Sequence, residues 1–181
     1  MTVETTPLHD LLVFNPTIHS DGRGFLFESY QHDQFKAATG RDLQFFQDNH
    51  SLSRRNVLRG LHYQYPSAQG KFVRVISGAI FNATVDLRRS SSTFGHWFGI
   101  ELSAENRKQL WVPEGFAHGF LTLSEVSEVL YKVTSPYDPN GQRTLRYDDP
   151  DIGIIWPLTA LPILSDKDAQ GLSFAALEAF A

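Results

Sequence analysis

The chain has 181 residues and no cysteine, with 16 basic and 20 acidic side chains and a formal net charge of -4. This length can bury a core within one domain, and the lack of cysteine excludes disulfides, thiolate metal ligands and a cysteine nucleophile. The slight acidity argues against a general attraction to nucleic acids or anionic membranes. No signal peptide or membrane-spanning run is visible. We therefore expect one soluble, cytoplasmic domain over residues 1–181.

Short runs rich in Phe, Val, Ile, Tyr and Leu alternate with Gly, Pro, Asn and Asp along most of the chain. Such runs predict β-strands, and their number predicts an all-β sandwich or barrel with few helices. The predicted strands are, in chain order, Leu11–Pro16, Gly24–Tyr30, Leu43–Ser51, Val57–Gln64, Lys71–Ser77, Ala79–Leu87, Trp97–Leu102, Gln109–Val112, His118–Thr122, Ser127–Val133 and Leu145–Tyr147. Helices are predicted at Asp33–Thr39, which stops at Gly40, and at Phe174–Phe180 after an N-capping Ser173, with a single turn at Ser103–Asn106.

The predicted strand Leu43–Ser51 is unusually polar. Alternation places Gln47, Asn49 and Ser51 on one face and Phe46, Asp48 and His50 on the other. This pattern is typical both of a solvated edge strand and of a strand that lines a ligand site, and the pattern alone favours neither.

A histidine lies between two cations in the segment from Arg59 to Lys71. His62 is suited to remove a proton next to a carbonyl near neutral pH, and a fixed cation such as Lys71 can hold the resulting enolate oxygen. The alternatives are a structural histidine and a lysine that caps a strand edge. Arg59 and His62 are three residues apart, so both can line one pocket only if Gly60 lies in a bulge or bend.

The segment Pro113–His118 has the Pro-x-Gly-x-x-His spacing that also occurs in metal-binding cupins. A catalytic metal usually requires three His or carboxylate ligands. Here His62-Tyr63-Gln64 replaces a His-x-His pair, and no acid follows closely. We therefore predict that neither a metal nor another cofactor is bound. His118 is then expected to contact the substrate, or to contact a residue that itself touches the substrate.

Motifs spread over nearly the whole chain carry a family resemblance. They are Gly60-Leu61-His62-Tyr63-Gln64, Gln69-Gly70-Lys71, Val85-Asp86-Leu87-Arg88, the run from Pro113 to Phe120, Tyr131-Lys132-Val133-Thr134 and Asp148-Asp149-Pro150. The sequence resembles the dTDP-4-dehydrorhamnose 3,5-epimerase family. The resemblance implies a cupin-type jelly roll that epimerises dTDP-4-dehydro-6-deoxy-D-glucose at C3 and C5 to dTDP-4-dehydro-L-rhamnose. It also implies a homodimer in which an N-terminal strand crosses to the neighbouring subunit.

The resemblance also implies roles for individual residues. His62 matches the family's base, Tyr131 the acid on the opposite face of the sugar, Lys71 the cation at the enolate, and Asp168 the aspartate that hydrogen-bonds the histidine. Tyr137 matches a ring that stacks on thymine, and Arg23 lies in a segment that matches the diphosphate and base site. The full set of implied substrate contacts is Arg23, Phe25, Glu28, Gln47, Asp48, Asn49, Arg59, His118, Tyr137, Gln142 and Lys167. On pattern alone, Tyr131 reads as an ordinary core tyrosine.

Two departures from the family pattern leave alternatives open. Gln142 stands where the family commonly has a glutamate, and Asn82 and Ala83 stand where it usually has an acid and an aliphatic residue. Either change could alter which carbon is epimerised or which 4-keto sugar is preferred. The alternatives are therefore a single-position C3 or C5 epimerase, a metal-dependent cupin, or a cupin that binds sugars without catalysis.

Overall fold

Two antiparallel sheets and one separate hairpin make up the fold. The structure, a computed structural model, describes all of residues 1–181. The first sheet contains, in spatial order, β1 (Thr2–Thr5), β2 (Leu12–Asn15), β10 (Gln109–Val112), β7 (Lys71–Ser77), β12 (Val126–Val133) and β5 (Gln47–Arg54). The second contains β13 (Gln142–Thr144), β6 (Leu58–Gln64), β11 (Phe116–Thr122), β8 (Ala79–Asp86) and β9 (Trp97–Ser103). The hairpin pairs β3 (His19–Asp21) with β4 (Gly24–Leu26).

Apolar side chains from both sheets meet in the space between them. Alternate residues of each strand point into this space, so Val73 and Val75 of β7 contact the same core as Ile80, Phe116 and Phe120 of the second sheet. Each such side chain, when fully buried, contributes roughly 1.5–3 kcal/mol to folding. The sandwich is therefore held by ordinary hydrophobic packing, and the prediction of an all-β fold is confirmed.

The outer face of each sheet is also covered. Helix α1 (His32–Thr39) places Phe35 against the first sheet, 5.0 Å from the ring of Trp111. This helix ends at Gly40, whose φ of 67° suits a left-handed cap. Residues 145–180 cover the second sheet with an apolar cluster that includes Trp156 and Leu177. No helix in the structure has the length and hydropathy needed to cross a membrane.

Two predicted elements, one helix and one strand, are absent from the structure. Phe174–Phe180 is not a helix, because the Phe180 backbone bonds to the backbone of Leu87 and Arg89. Leu145–Tyr147 is not a strand, since β13 ends at Thr144.

Most other predicted strands differ from the structure by one or two residues at an end, and two differ by more. The strand predicted to start at Leu43 starts at Gln47, because Leu43 and Phe45 pack into the aromatic cluster beneath α1. The strand predicted at Gly24–Tyr30 ends at Leu26. The short helix α2 (Asp166–Ala169), capped by Ser165, was not predicted.

Candidate active site

A polar cavity of about 360 Å³ opens between the two sheets. This volume falls in the range of small-molecule sites. Strands of both sheets line it, with β5, β7 and β12 from the first and β6, β11 and β13 from the second. The lining side chains are Gln47, Asn49, Ser51, Arg59, His62, Tyr63, Gln64, Gln69, Lys71, His118, Phe120, Tyr131, Tyr137 and Gln142.

A β-bulge at Gly60 brings Arg59 and His62 to the same cavity. Opposite β11, His62 pairs with His118 and Arg59 pairs with Phe120, so β6 has one more residue than β11 between these pairs. Gly60 has a φ of 117°, and a Cβ there would lie 2.6 Å from the Cα of Gly119. Only glycine fits this position, and the irregularity that the sequence required for a shared pocket is present.

His62 is held by a carboxylate that approaches from behind the cavity wall. Its Nε2 lies 2.5 Å from Oδ1 of Asp168, whose side chain is 5% exposed against 33% for His62. Burial opposes ionisation of Asp168, but the hydrogen bond and charge of His62, with bonds from Ser165 and the Gly60 backbone, bring its pKa below the ordinary value. The ionised carboxylate accepts a hydrogen bond from Nε2–H, which leaves Nδ1 as the unprotonated nitrogen of the neutral His62 ring.

Lys71 is a buried cation without a carboxylate partner. It is 6% exposed, and its Nζ donates to the His62 carbonyl oxygen at 3.4 Å. Burial lowers its pKa to about 8, so the ammonium form still predominates at neutral pH. An uncompensated ammonium on the wall of a cavity is suited to hold an oxygen on which negative charge develops.

Tyr131 faces the cavity from the first sheet, whereas His62 belongs to the second. Burial raises the pKa of its phenol, and the positive charge of Arg59 offsets only part of this effect. The phenol is therefore protonated at neutral pH and can donate a proton. The cavity thus places a histidine on one side and a protonated tyrosine on the other.

Four further side chains form a hydrogen-bonded rim at the mouth of the cavity. The Gln47 amide donates to Asn49 Oδ1 at 2.7 Å and accepts from the Tyr137 backbone N–H at 3.2 Å. The Tyr137 hydroxyl donates to Gln142 Oε1 at 2.5 Å. The Tyr137 ring is half exposed, so its face is accessible to a planar ligand.

Asp48 does not line the cavity with Gln47 and Asn49, so its predicted substrate contact has no support from this cavity. Alternation along β5 sends its carboxylate to the other face of the sheet, where it accepts from Lys132 at 3.0 Å. Lys167 also lies outside the cavity, exposed on α2 next to Asp168.

The N-terminal residues that the resemblance assigned to the nucleotide are also outside this cavity. Arg23 is paired with Asp21 at 2.6 Å in the exposed β3–β4 hairpin. Phe25 lies under the Arg107 guanidinium at 4.3 Å, and Glu28 accepts from Gln34 at 3.0 Å. Their role as substrate contacts stays a prediction that depends on a neighbouring subunit.

Five cavity residues were absent from the predicted set, namely Ser51, Tyr63, Gln64, Gln69 and Phe120. Two of them follow from alternation, since Ser51 lies on the face of Gln47 and Asn49, and Phe120 lies two residues after His118. Gln64 holds the loop that carries Tyr137, because its Oε1 accepts from the backbone N–H of Asp138 at 2.9 Å.

Comparison with known proteins agrees with this arrangement. The family model described as dTDP-4-dehydrorhamnose 3,5-epimerase matches residues 5–176. The Pseudomonas aeruginosa protein of that name is 52% identical over 171 residues, 94% of this chain and 94% of its own length. The Salmonella typhimurium protein of that name is 52% identical over 170 residues, 93% of each chain.

A solved structure is also similar to this chain over nearly its full length. The Legionella pneumophila dTDP-6-deoxy-D-glucose-3,5-epimerase, in complex with dTDP-4-keto-L-rhamnose, superposes with a TM-score of 0.95 at 42% identity. The match covers 98% of this chain and 94% of that one. The cupin-type jelly roll is therefore confirmed along with the all-β class. The chain belongs to the dTDP-4-dehydrorhamnose 3,5-epimerase family.

Proposed function

We propose that this protein epimerises dTDP-4-dehydro-6-deoxy-D-glucose at C3 and C5, giving dTDP-4-dehydro-L-rhamnose. The observation that carries the proposal is the convergence of His62, Lys71 and Tyr131 on one cavity, with Asp168 behind His62. Both carbons are α to the same C4 ketone, so one base and one enolate site can serve each in turn. The nucleotide-sugar ligand of the Legionella relative supports the substrate class.

His62 acts as the base in this proposal. Its Nε2–H is held by Asp168, so the Nδ1 lone pair faces the cavity and removes the proton next to the ketone. The imidazolium that forms is then stabilised by the buried carboxylate. Asp168 thus serves both to orient the ring and to balance its charge.

Lys71 holds the oxygen of the resulting enolate. Its ammonium lies beside His62, as the bond to the His62 carbonyl shows, and no carboxylate competes for it. A cation fixed in a buried position stabilises a developing oxyanion far more than it would in water. The bond to the His62 carbonyl uses one N–H and leaves the others for the substrate.

Tyr131 supplies the proton that inverts the carbon. Inversion needs an acid on the face opposite the base, and Tyr131 and His62 come from opposite sheets with the cavity between them. Protonation from the Tyr131 side gives the epimer, whereas return of the proton from His62 regenerates the starting sugar. The position of the tyrosine therefore decides the stereochemical outcome.

The nucleotide half of the substrate extends over the rim of the cavity in this proposal. Tyr137 stacks on the base, and Gln47 and Asn49 contact polar groups of the substrate. Arg23 and its hairpin complete the site from a neighbouring subunit of a homodimer. The exposed apolar side chains Phe25 (57%) and Leu26 (74%) support burial of this hairpin against a partner.

The test is incubation with the dTDP-4-keto sugar in D₂O, followed by NMR to locate deuterium. Label at both C3 and C5 of an inverted product is expected. Label at one carbon only would favour the single-position epimerase, and no label at either would refute the proposal.

A second experiment tests the metal requirement. Full activity after exhaustive chelation is expected, and loss of activity that one added divalent ion restores would favour a metal-dependent cupin.

Three broader inferences accompany the activity. We infer one epimerase domain over residues 1–181, because both sheets share one core and the family match spans most of the chain. We also infer a cytoplasmic location and a homodimer. Light scattering of the purified protein tests the dimer, and cell fractionation tests the location.

A further inference from the structure

A second histidine in the cavity wall has a partner that the reaction scheme has not used. His118 on β11 is buried, and its Nε2 lies 2.6 Å from Nδ2 of Asn82 on the adjacent strand β8. The Thr84 hydroxyl donates to Asn82 Oδ1 at 3.2 Å. Asn82 and Thr84 are both fully buried, so no solvent competes for these bonds.

The orientation of the Asn82 amide determines where the proton lies on His118. The structure places the amide oxygen at the Thr84 hydroxyl and the NH₂ group at the imidazole. An amide nitrogen donates and cannot accept, which requires Nε2 of His118 to be the unprotonated nitrogen. The single ring proton then lies on Nδ1. Nδ1 makes no hydrogen bond within the chain and is not completely buried. Because His118 lines the cavity, Nδ1 is available to a ligand there.

We propose that Asn82 and Thr84 are positioning residues that hold His118 as the neutral tautomer protonated on Nδ1, so that His118 donates an uncharged hydrogen bond to the substrate beside Lys71. The identity of the acceptor rests on the proposed function. The tautomer itself rests only on the three buried side chains. Neither Asn82 nor Thr84 lines the cavity, so each acts through His118.

The surrounding charges favour the same state. The titratable groups that face His118 are Lys71 on β7 and His62 on β6, with Asp168 on α2 behind His62. Burial, followed by the positive charges of Lys71 and His62, holds the pKa of His118 well below its ordinary value. A neutral donor adds a second hydrogen bond near the ammonium without a second buried cation.

The direct test is the protonation pattern of His118 in the free wild-type protein, read from long-range ¹H–¹⁵N correlations of the imidazole rings. The chain has seven histidines, so the His118 signals are assigned as those lost in His118→Asn. We expect Nδ1 to be pyrrole-like and Nε2 pyridine-like on both sides of neutral pH. A proton on Nε2, or an imidazolium at neutral pH, would overturn the proposal.

Two variants test the partners. In Asn82→Asp the carboxylate accepts from Nε2, so the ring proton should move to Nε2, or the ring should become charged at lower pH. Thr84→Val keeps the side-chain shape but releases the Asn82 oxygen, and the two tautomers should then mix. A His118 spectrum unchanged in both variants would refute the positioning role.

The pH profile of kcat/KM gives a functional readout that a purely structural role would not change. In Asn82→Asp, Nδ1 donates only while His118 is charged, so activity should fall as pH rises through the pKa of His118. Losing one donor at an oxyanion typically costs ~10²–10³ in rate, which sets the upper limit of this fall. Deprotonation of Lys71 should lower kcat/KM at high pH in wild type and variant alike, so it does not affect the comparison between them. A variant profile that matches wild type would contradict the proposal, whereas absence of deuterium exchange in wild type would refute only the epimerase function and leave the tautomer result standing.

Discussion

Two histidines lie opposite each other on neighbouring strands, and the atom that faces Nε2 gives them opposite properties. His62 on β6 faces the Asp168 carboxylate, whereas His118 on β11 faces the Asn82 amide. The carboxylate accepts a hydrogen bond from Nε2–H of His62, which leaves Nδ1 of that ring unprotonated. In the proposed arrangement the amide donates to Nε2 of His118, which puts the ring proton on Nδ1. The same side chain would then serve as a base in one place and as a neutral donor in the other, because a single neighbouring group differs.

The largest expected effect is on the base. His62→Asn should remove deuterium exchange at both C3 and C5, because general base catalysis is worth ~10²–10⁴ in rate and no neighbouring group can replace it. His118→Asn is the matched control, and it should slow exchange without removing it. The wash-in of solvent deuterium into the keto sugar measures both. Exchange at the wild-type rate in His62→Asn would contradict the assignment.

The second prediction concerns Lys71, the cation near both histidines. Lys71→Met should lower kcat by ~10²–10³, the usual cost of losing one oxyanion donor. Stopped reactions quantified by NMR give this value. An equal loss of kcat in Lys132→Met, whose ammonium pairs with Asp48 on the other face of the sheet, would point to a general charge effect instead.

The same variant should be more stable than wild type. The pKa of Lys71 falls from 10.5 to about 8 in the folded state, a difference that corresponds to roughly 3 kcal/mol against folding. Because the folded pKa is below the unfolded one, this cost is complete below pH 8 and disappears as the pH approaches 10.5. Urea unfolding of Lys71→Met near neutral pH should therefore give a gain of about 1–3 kcal/mol. A loss of stability would show that Lys71 is a structural residue.

The carboxylate behind His62 gives a smaller effect. Asp168→Asn keeps a group of the same shape at the Nε2 of His62 but removes the charge that balances the imidazolium. We expect slower deuterium exchange, with a smaller loss than in His62→Asn, and nearly unchanged affinity for dTDP by calorimetry. A large loss of dTDP affinity would place Asp168 in the nucleotide site rather than behind the base.

Local patterns predicted the strands well where alternation and packing agree. Lys71–Ser77 and Gln109–Val112 have the predicted bounds, since their inward residues are core residues at every second position. Phe174–Phe180 fits a helix locally, but its backbone pairs with the chain after β8, a contact that sequence spacing cannot show.

The site could be predicted only in part, for the same reason. Gly60 pointed to the bulge because two side chains three apart had to share a pocket. By contrast, the 106 residues between His62 and Asp168 carry no geometric information, and that pair came from resemblance alone. The contact of Asn82 with His118 depends on the register of β8 against β11, which no local motif encodes.

The central claim is that His62 and Tyr131 act on opposite faces of one carbon, and the fate of the proton in Tyr131→Phe tests it most directly. This variant keeps the base and the Lys71 site but lacks the inverting acid, so the enolate should form and be reprotonated mainly from the His62 side. The measurement is the ratio of deuterium in recovered substrate to deuterium in product, for wild type and variant in D₂O. We predict a clear rise of this ratio in Tyr131→Phe, with solvent label entering unepimerised sugar faster than product forms. An unchanged ratio, with exchange and inversion reduced in equal proportion, would contradict the account and leave Tyr131 as a core residue.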